Sequence, residues 1–210
     1  MKLFNTTKKW VNWWALRKID WKKHYMNPNH PHRHLISETL KQIPWLSLLE
    51  VGCGAGANLV NICKSIPGRQ IMGTDINPDA IAFAQTQFTN GLFKVNSADN
   101  IILSDKSVDV ILSDMVMIYI TPNLIEKHLR EFKRLARNYI VLFEFHSESW
   151  WDRFALKFKE GYNIYNWPKL LEKQGFYDIR KYKIPKESWP ESDLQQKYGY
   201  IIVARTPKYY

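Results

Sequence analysis

From residue 48 onward, short apolar runs alternate with segments whose apolar residues recur every three or four positions. The short runs predict buried strands of a parallel sheet, which are apolar on both faces. The segments between them predict amphipathic helices. Strands are predicted at residues 48–51, 70–74, 92–95, 108–113 and 139–145. Helices are predicted at residues 57–65, 79–88 and 124–136.

This alternation is typical of a doubly wound α/β sheet, in which ligands bind beyond the C-terminal ends of the strands. The last part of the chain differs. After a helix near residues 168–174, strand patterns at 176–184 and 198–205 flank a loop at 185–196 that carries proline, serine and charged residues. Two consecutive strands joined by such a loop predict an antiparallel hairpin at the edge of the sheet.

The loop between the first strand and the first helix is the most informative stretch of the chain. It reads Glu-Val-Gly-Cys-Gly-Ala-Gly. Glycine occupies every second position, at Gly52, Gly54 and Gly56, and the first glycine follows Glu50 by two residues. Glycine permits a tight turn and a close approach of ligand to backbone, because it has no Cβ. A strand, a glycine-rich turn and a helix in that order build a nucleotide crevice. The spacing differs from the G-x-G-x-x-G of dinucleotide enzymes.

These residues resemble the class I S-adenosylmethionine-dependent methyltransferases. The likeness covers about residues 45–205 and is most specific over residues 48–75. It implies a Rossmann-like, seven-stranded sheet that ends in an antiparallel hairpin, with S-adenosyl-L-methionine as cofactor. In this family the E-x-G-x-G-x-G loop wraps the methionine part of the cofactor. An acid at the end of the second strand holds the ribose hydroxyls, and an acid after the third strand faces the adenine.

The resemblance assigns cofactor-binding roles residue by residue. The residues of the loop that wraps the methionine part are Glu50, Gly52, Gly54 and Gly56. Asp75 would hold the ribose, and the residues at the adenine would be Ile76, Ala98 and Asp99. Ser113 and Asp114 would lie beside the cofactor. Several small-molecule methyltransferases also hold the cofactor's carboxylate with an N-terminal Arg or Tyr, a role that Arg33 or Tyr25 would fill here. Purely structural roles compete at three positions: Glu50 as a strand-end carboxylate, Asp75 as a helix cap, and Asp99 in an ordinary turn.

Methyl transfer from a sulfonium is an in-line displacement, so the enzyme mainly aligns the reactants and excludes water. A general base is needed only when the acceptor arrives protonated. The candidates follow the fourth and fifth strands and are Asp114, Tyr119, Glu144 and His146. His146 is the most natural base near neutral pH, and a solvent-facing loop histidine is its alternative.

The end of the fourth strand indicates the acceptor. It reads Ser-Asp-Met-Val at residues 113–116, where amino-methylating nucleic-acid enzymes of the family carry an Asn/Asp-Pro-Pro-Tyr/Phe motif. This difference favours transfer to an O or N atom of a small molecule. RNA or protein methylation is the alternative, and a cofactor-binding regulator without catalysis is a third. The aromatic segment 147–166 predicts either a lid over the acceptor or a packing helix.

Charge is concentrated at the N-terminus. The chain carries a net charge of +10, and its first 47 residues hold nine Lys or Arg against Asp20 and Glu38. Tryptophans recur there at close to helical spacing, which predicts a basic, Trp-rich helical cap at residues 1–47 over an S-adenosylmethionine-binding domain at 48–210. A membrane surface, nucleic acid or solvent are the alternative neighbours of this basic segment.

The composition of the chain bears on its expected cellular location and on whether it holds a metal ion. No run of 18 apolar residues exists, and Lys8 and Lys9 interrupt any signal-peptide core, so we expect a cytoplasmic protein without a transmembrane segment. The two cysteines suit a reducing compartment. Histidines cluster at residues 30–34, but no spaced Cys or carboxylate accompanies them, and we expect no metal site. The sequence indicates no oligomeric state.

Overall fold

The computed structural model describes residues 6–27, 29–88 and 90–208, so the first five residues of the predicted cap and its residue 28 lie outside the described part. The strands in these ranges are β1 (Ser47–Val51), β2 (Gln70–Asp75), β3 (Leu92–Val95), β4 (Val108–Asp114), β5 (Ala136–Phe145), β6 (Tyr177–Lys183) and β7 (Gly199–Arg205). The α-helices are α1 (Thr6–Leu16), α2 (Trp21–Tyr25), α3 (Pro31–Lys41), α4 (Ala57–Ser65), α5 (Pro78–Gln87), α6 (Ile125–Leu135), α7 (Trp150–Glu160), α8 (Trp167–Lys173) and α9 (Asp193–Tyr198).

The strands form one sheet in the order β3-β2-β1-β4-β5-β7-β6. The pairs among β1 to β5 are parallel, and β7 runs antiparallel between β5 and β6. This confirms the predicted doubly wound sheet and its C-terminal hairpin. The chain turns to opposite sides after β1 and β4, so the crevice expected in such sheets opens at the C-terminal ends of these two strands.

Apolar side chains of successive strand residues point alternately to the two faces of the sheet. On β1, Leu48 joins the cluster under α3, α4 and α5, which we call the first face, and Leu49 joins the cluster under α6 and α8, the second face. Both leucines are completely buried. Ile36 and Leu40 of α3 are also completely buried on the first face, which places α3 in the helical layer of the sheet.

Two segments differ from the sequence prediction. The tryptophan stripe near the N-terminus forms two helices, because the side chain of Asp20 accepts a hydrogen bond from Lys23 N at 3.0 Å and starts α2 as a separate helix. The loop predicted at residues 185–196 contains the start of α9. No helix within the described ranges combines the length and apolar character needed to cross a membrane.

Candidate active site

The glycine loop turns over the C-terminal end of β1 and is held by β2. Gly52 N and Cys53 N both donate to Thr74 O, at 2.7 and 2.9 Å. Gly54 N donates to Asp75 Oδ2 at 2.8 Å. Gly52 and Gly54 adopt φ values of +75° and +50°, a region that side chains with a Cβ rarely occupy. The loop backbone is therefore fixed in a shape that depends on glycine.

Gly52 gives a prediction with a matched control. A Cβ at Gly52 would lie 2.3 Å from Val116 Cγ2, whereas a Cβ at Gly68, whose φ is also positive at +76°, would meet nothing within 4 Å. Both alanine variants lose about 1 kcal/mol to the strained φ. We expect Gly52→Ala to lose a further ~1–3 kcal/mol of unfolding free energy from the clash. Denaturant unfolding of both variants measures the difference, and equal losses would contradict the packing described.

Asp75 ends β2, and its two carboxylate oxygens bind backbone amides of the glycine loop and of the start of α5. Its Oδ2 accepts from Gly54 N, and its Oδ1 accepts from Asn77 N at 2.9 Å. Burial raises the pKa of Asp75 and outweighs these backbone hydrogen bonds. The side chain of Asn77, and not that of Asp75, caps α5 by accepting from Ala80 N at 3.0 Å. Asp75 therefore supports the cap residue Asn77 but is not itself the cap of α5, and the half-buried Ile76 follows it.

A carboxylate network, Glu50–Asn58–Asp114, joins β1, α4 and β4. Asn58 Nδ2 donates to Glu50 Oε1 at 2.6 Å and to Asp114 Oδ2 at 3.0 Å. Glu50 is 1% exposed, and its Oε2 is buried without a hydrogen-bond partner. Burial raises the pKa of Glu50 to about 8. A buried acceptor without a donor is costly, so this oxygen is suited to a ligand that brings a donor or a positive charge.

Arg33 on α3 supplies the positive charge beside the carboxylate network. Its Nη1 donates to Asn58 Oδ1, its Nε donates to Asn27 O at 2.7 Å, and its Nη2 donates to Tyr25 O at 3.0 Å. Burial lowers the pKa of the Arg33 guanidinium, and the two carboxylates of the network oppose that effect. Arg33 therefore lies at the predicted site, whereas Tyr25 contributes its backbone carbonyl there.

His32, which the sequence did not single out, contacts the other oxygen of Asp114. Its Nε2 lies 2.9 Å from Asp114 Oδ1, and its Nδ1 is buried without a partner. The ring is 2% exposed and packs against Phe143 and Trp189, with ring centroids 5.3 and 4.1 Å away. Burial raises the pKa of Asp114, but the contacts with His32 and the side-chain hydrogen bond from Asn58 outweigh it and lower that pKa. His32 thus lies within hydrogen-bond distance of a buried carboxylate and has a second ring nitrogen without a partner among the described residues.

His146, a second predicted base, lies away from Asp114. His146 contacts Trp167 N at 3.3 Å and Lys181 Nζ at 3.1 Å. Trp167, which His146 contacts, packs on the second face of the sheet. Asp114 lies opposite Phe143 in the pairing of β4 with β5, and Phe143 packs on the first face. Burial and the Lys181 charge lower the pKa of His146 to about 4. The structure thus separates His146 from the Asp114 pair.

Tyr119 follows β4 and is half-buried among aromatic rings. Ring centroids of Trp10, Trp14 and Tyr162 lie 5.1, 5.5 and 5.7 Å from its own. Burial raises the pKa of its hydroxyl. Its surroundings are those of an apolar wall on the β4 side of the site.

Ser113 and Glu144 hold the turn that follows β4. Ser113 Oγ donates to Glu144 Oε1 at 2.9 Å, and Val116 N and Met117 N donate to the same oxygen at 2.9 and 3.0 Å. Ser113 and Glu144 are both completely buried. Burial raises the pKa of Glu144 to about 8. These contacts position the turn beside Asp114.

Glu144 makes stability depend on pH. A carboxyl group whose pKa rises from 4.5 to about 8 on folding stabilises the native state below pH 4.5, and this contribution is lost as pH rises through 8. Glutamine keeps an oxygen at the position of Oε1, so we expect Glu144→Gln to keep the hydrogen bonds to it. When the pH is raised from 4.5 to 8, the Tm of Glu144→Gln should fall by several degrees less than the Tm of the wild type. Thermal scans at both pH values, with the exposed Glu187→Gln as control, measure this. Parallel pH profiles for all three proteins would contradict it.

Asp99 and Ala98 lie in the turn after β3. Asp99 Oδ1 accepts from Ser97 Oγ, and Asp99 Oδ2 forms an ion pair with Lys127 Nζ at 2.9 Å. Burial raises the pKa of Asp99, but these two contacts outweigh it and lower that pKa. Ala98 packs half-buried against the second face. Asp99 is therefore an ionised acid at the predicted adenine position, already paired with a lysine.

The N-terminal helices cover the glycine loop. Trp21 of α2 is 6% exposed and packs with Ala55 of the loop and Ala80 of α5. One carbon of its ring lies 3.8 Å from the position of a Cβ built on Gly54. The indole therefore rests directly on the loop.

The segment before α2 links the cover to both sides of the crevice. Asn77 Nδ2, next to the end of β2, donates to Trp14 O at 2.7 Å and to Arg17 O at 2.9 Å. The Trp14 ring contacts Tyr119 on the β4 side, and the Tyr25 ring packs against Trp14 and Trp21. Residues 14–25 thus extend over the site from β2 to β4.

A cavity of about 550 Å³ opens elsewhere, lined by Trp45, Arg69, Asp109, Arg137 and Tyr139 among others. These residues lie at or near the beginnings of the parallel strands, whereas the glycine loop, Asp75 and Asp114 lie at the strand ends. The cavity is therefore not the crevice described above.

Comparison with known proteins identifies the central part of the chain. Residues 48–138 match the family model of a methyltransferase domain. The chain is also 30% identical over 98 residues to the release factor glutamine methyltransferase of Geobacter sulfurreducens, a match that spans 41% of this chain and 32% of that protein. The chain thus matches about a third of the length of this curated relative.

Solved structures share the fold. A chain in the complex between the Haloferax volcanii Trm112 methyltransferase activator and the putative methyltransferase superposes with a TM-score of 0.69 at 16% identity, covering 96% of this chain and 98% of that one. Magnesium protoporphyrin IX methyltransferase from Synechocystis PCC 6803 with bound SAH gives a TM-score of 0.64 at 16% identity, covering 98% and 95%.

Proposed function

We propose that this chain, whose residues 48–138 match the family model of a methyltransferase domain, is a class I S-adenosylmethionine-dependent methyltransferase that transfers a methyl group to an O or N atom of a small molecule. The observation that carries the proposal is the unpaired, buried Oε2 of Glu50 next to the glycine loop. Such an oxygen needs a donor from a ligand or from water, and its place beside the glycine loop makes the cofactor's ammonium group the donor that we propose.

The residues present fit the cofactor. Glu50 and Arg33 would hold its ammonium and carboxylate groups, and Asp75 would hold the ribose hydroxyls. The adenine positions fall to Ile76, Ala98 and Asp99, as the family resemblance implies. When bound, S-adenosylmethionine supplies an electrophilic methyl group on a sulfonium. A raised pKa for Glu50 means that binding a cation there favours loss of its proton, so cofactor affinity increases with pH up to about 8.

The proton of the acceptor is best placed on His32. Its Nδ1 is unpaired within the described residues, and its Nε2 lies 2.9 Å from Asp114 Oδ1, which orients the ring. Asp114 thus acts through His32, and we assign His146, on the second face, no part in the transfer. Tyr119 contributes to the apolar wall that excludes water from the reacting atoms.

We propose that residues 1–47 serve the domain at 48–210 as a cover over the cofactor, since Trp21 and the segment at 14–17 rest on the loop and on Asn77. The alternative, methylation of RNA or protein, is favoured by the glutamine methyltransferase relative and by the basic N-terminus. The absence of the Pro-Pro motif at residues 113–116 and the enclosed surroundings of Tyr119 support the small-molecule acceptor.

A labelled-methyl assay tests the proposal. Purified protein and S-adenosylmethionine carrying a labelled methyl group are incubated with the low-mass, RNA and protein fractions of a cell extract. We expect label in the low-mass fraction, and none there with the Asp114→Asn variant. Label in RNA that disappears steeply with added salt would establish the RNA alternative instead.

A further inference from the structure

The outer face of α7 exposes four large aromatic side chains. Trp150, Trp151, Phe154 and Phe158 are 55, 63, 61 and 82% exposed, and we call them the aromatic surface. Single exposed apolar residues are normal, but a group of this size on one helix marks an interaction site. The methyl-transfer site described above makes no use of these rings.

Helical geometry brings the four rings together. Residues at i, i+4 and i+8 project from one side of a helix, which aligns Trp150, Phe154 and Phe158, and Trp151 stacks on Trp150 with ring centroids 3.7 Å apart. Leu156, on the other side of α7, is 4% exposed and anchors the helix in the fold. Among residues 6–27, 29–88 and 90–208, nothing covers the aromatic surface, while Leu156 on the other side of α7 packs into the fold.

The neighbouring N-terminal helices add positive charge and further apolar surface. Trp10 of α1 packs beside Gly161, the residue that follows the end of α7. The indole ring of Trp10 lies 3.8 Å from the position that a Cβ atom on Gly161 would occupy. On α1, Trp13 and Leu16 are 43 and 79% exposed. Exposed lysines on and between α1 and α2 are Lys9, Lys18, Lys22 and Lys23. Asp20 is the one acidic residue among residues 6–27.

We infer that the aromatic surface docks on an anionic lipid bilayer, with the lysines of α1 and α2 facing the headgroups. Tryptophan and phenylalanine rings partition into the membrane interface, and a helix with such a face lies in its plane. Basic residues nearby are attracted to anionic lipids, which supplies the charge complementarity. This binding is separate from methyl transfer and needs neither cofactor nor acceptor.

Vesicle co-sedimentation tests the inference. Full-length protein is mixed with phosphatidylcholine vesicles or with the same vesicles containing phosphatidylglycerol, and the bound fraction is measured at low and high salt. We expect binding to the anionic vesicles that weakens as salt rises. The double variant Phe154→Ser/Phe158→Ser should bind the anionic vesicles at least about tenfold more weakly, because burying one aromatic ring in the membrane contributes about that factor or more to the binding constant.

Matched variants separate the aromatic surface from general effects. Ile102→Ser and Tyr182→Ser remove exposed apolar side chains, 71 and 53% exposed, outside α7, and should bind like the wild type. Lys22→Gln/Lys23→Gln should weaken only the anionic-vesicle binding. Equal binding by Phe154→Ser/Phe158→Ser and the wild type, with both folded by circular dichroism, would overturn the inference. So would light scattering that shows a wild-type dimer converted to a monomer by the same substitutions, because a second copy would then cover the surface.

Discussion

Replacing Asp75 with alanine should weaken the binding of S-adenosylhomocysteine at least about a hundredfold, because two backbone hydrogen bonds to a carboxylate and the ribose contacts are lost together. Asp75 anchors both the glycine loop, through Gly54 N, and the start of α5, through Asn77 N. Methylthioadenosine, which has the ribose and adenine but no amino-acid part, should lose affinity to the same degree. Calorimetric titration measures both dissociation constants.

Asp79→Ala is the matched control for this prediction. Asp79 is an exposed carboxylate in the first turn of α5, four residues from Asp75. It should bind both ligands like the wild type. A dissociation constant for Asp75→Ala within about threefold of the wild-type value, a change well under 1 kcal/mol, would mean that Asp75 has only a structural role.

Replacing Arg33 with methionine should separate the two ligands. We expect S-adenosylhomocysteine to bind at least about a hundredfold more weakly, because a buried, charge-assisted contact to its carboxylate is removed. Methylthioadenosine lacks that carboxylate and should keep its affinity within a few-fold. The same calorimetric titrations give the comparison.

Arg33 also holds Asn27 O and Tyr25 O, so its removal lowers stability, and a thermal scan establishes a temperature at which the variant is folded. Lys18→Met, which removes an exposed cation from the same N-terminal region, is the control and should bind both ligands normally. Equal losses for both ligands in Arg33→Met would show that Arg33 only supports the fold of the site.

Local patterns were enough to predict the sheet and the position of the loop. The strands from residue 48 to 145 are short, largely apolar runs, and a strand, three glycines and a helix follow each other within 18 residues. Asp75 meets Gly54 because β1 and β2 are parallel neighbours, whose C-terminal ends share one edge of the sheet. Such contacts follow from topology alone.

Contacts between distant segments were not predictable in the same way. His32 and Asp114 are 82 residues apart, and no pattern distinguishes His32 from His30 or His34. His146 is a natural base by residue type. Because β5 is buried on both faces, apolar and polar residues do not alternate along it, and its sequence does not show to which face of the sheet each side chain points. The cap of α2 by Asp20 likewise depends on one side-chain contact inside an otherwise helical pattern.

The crevice at the ends of β1, β2 and β4 is the S-adenosylmethionine site that we propose. Calorimetric titration of the purified wild-type protein with S-adenosylmethionine and with S-adenosylhomocysteine tests this assignment. We expect one site per chain, a micromolar dissociation constant for both ligands, and loss of binding in Asp75→Ala. If the folded wild type showed no heat of binding and no ligand-dependent shift in Tm, this assignment would be wrong.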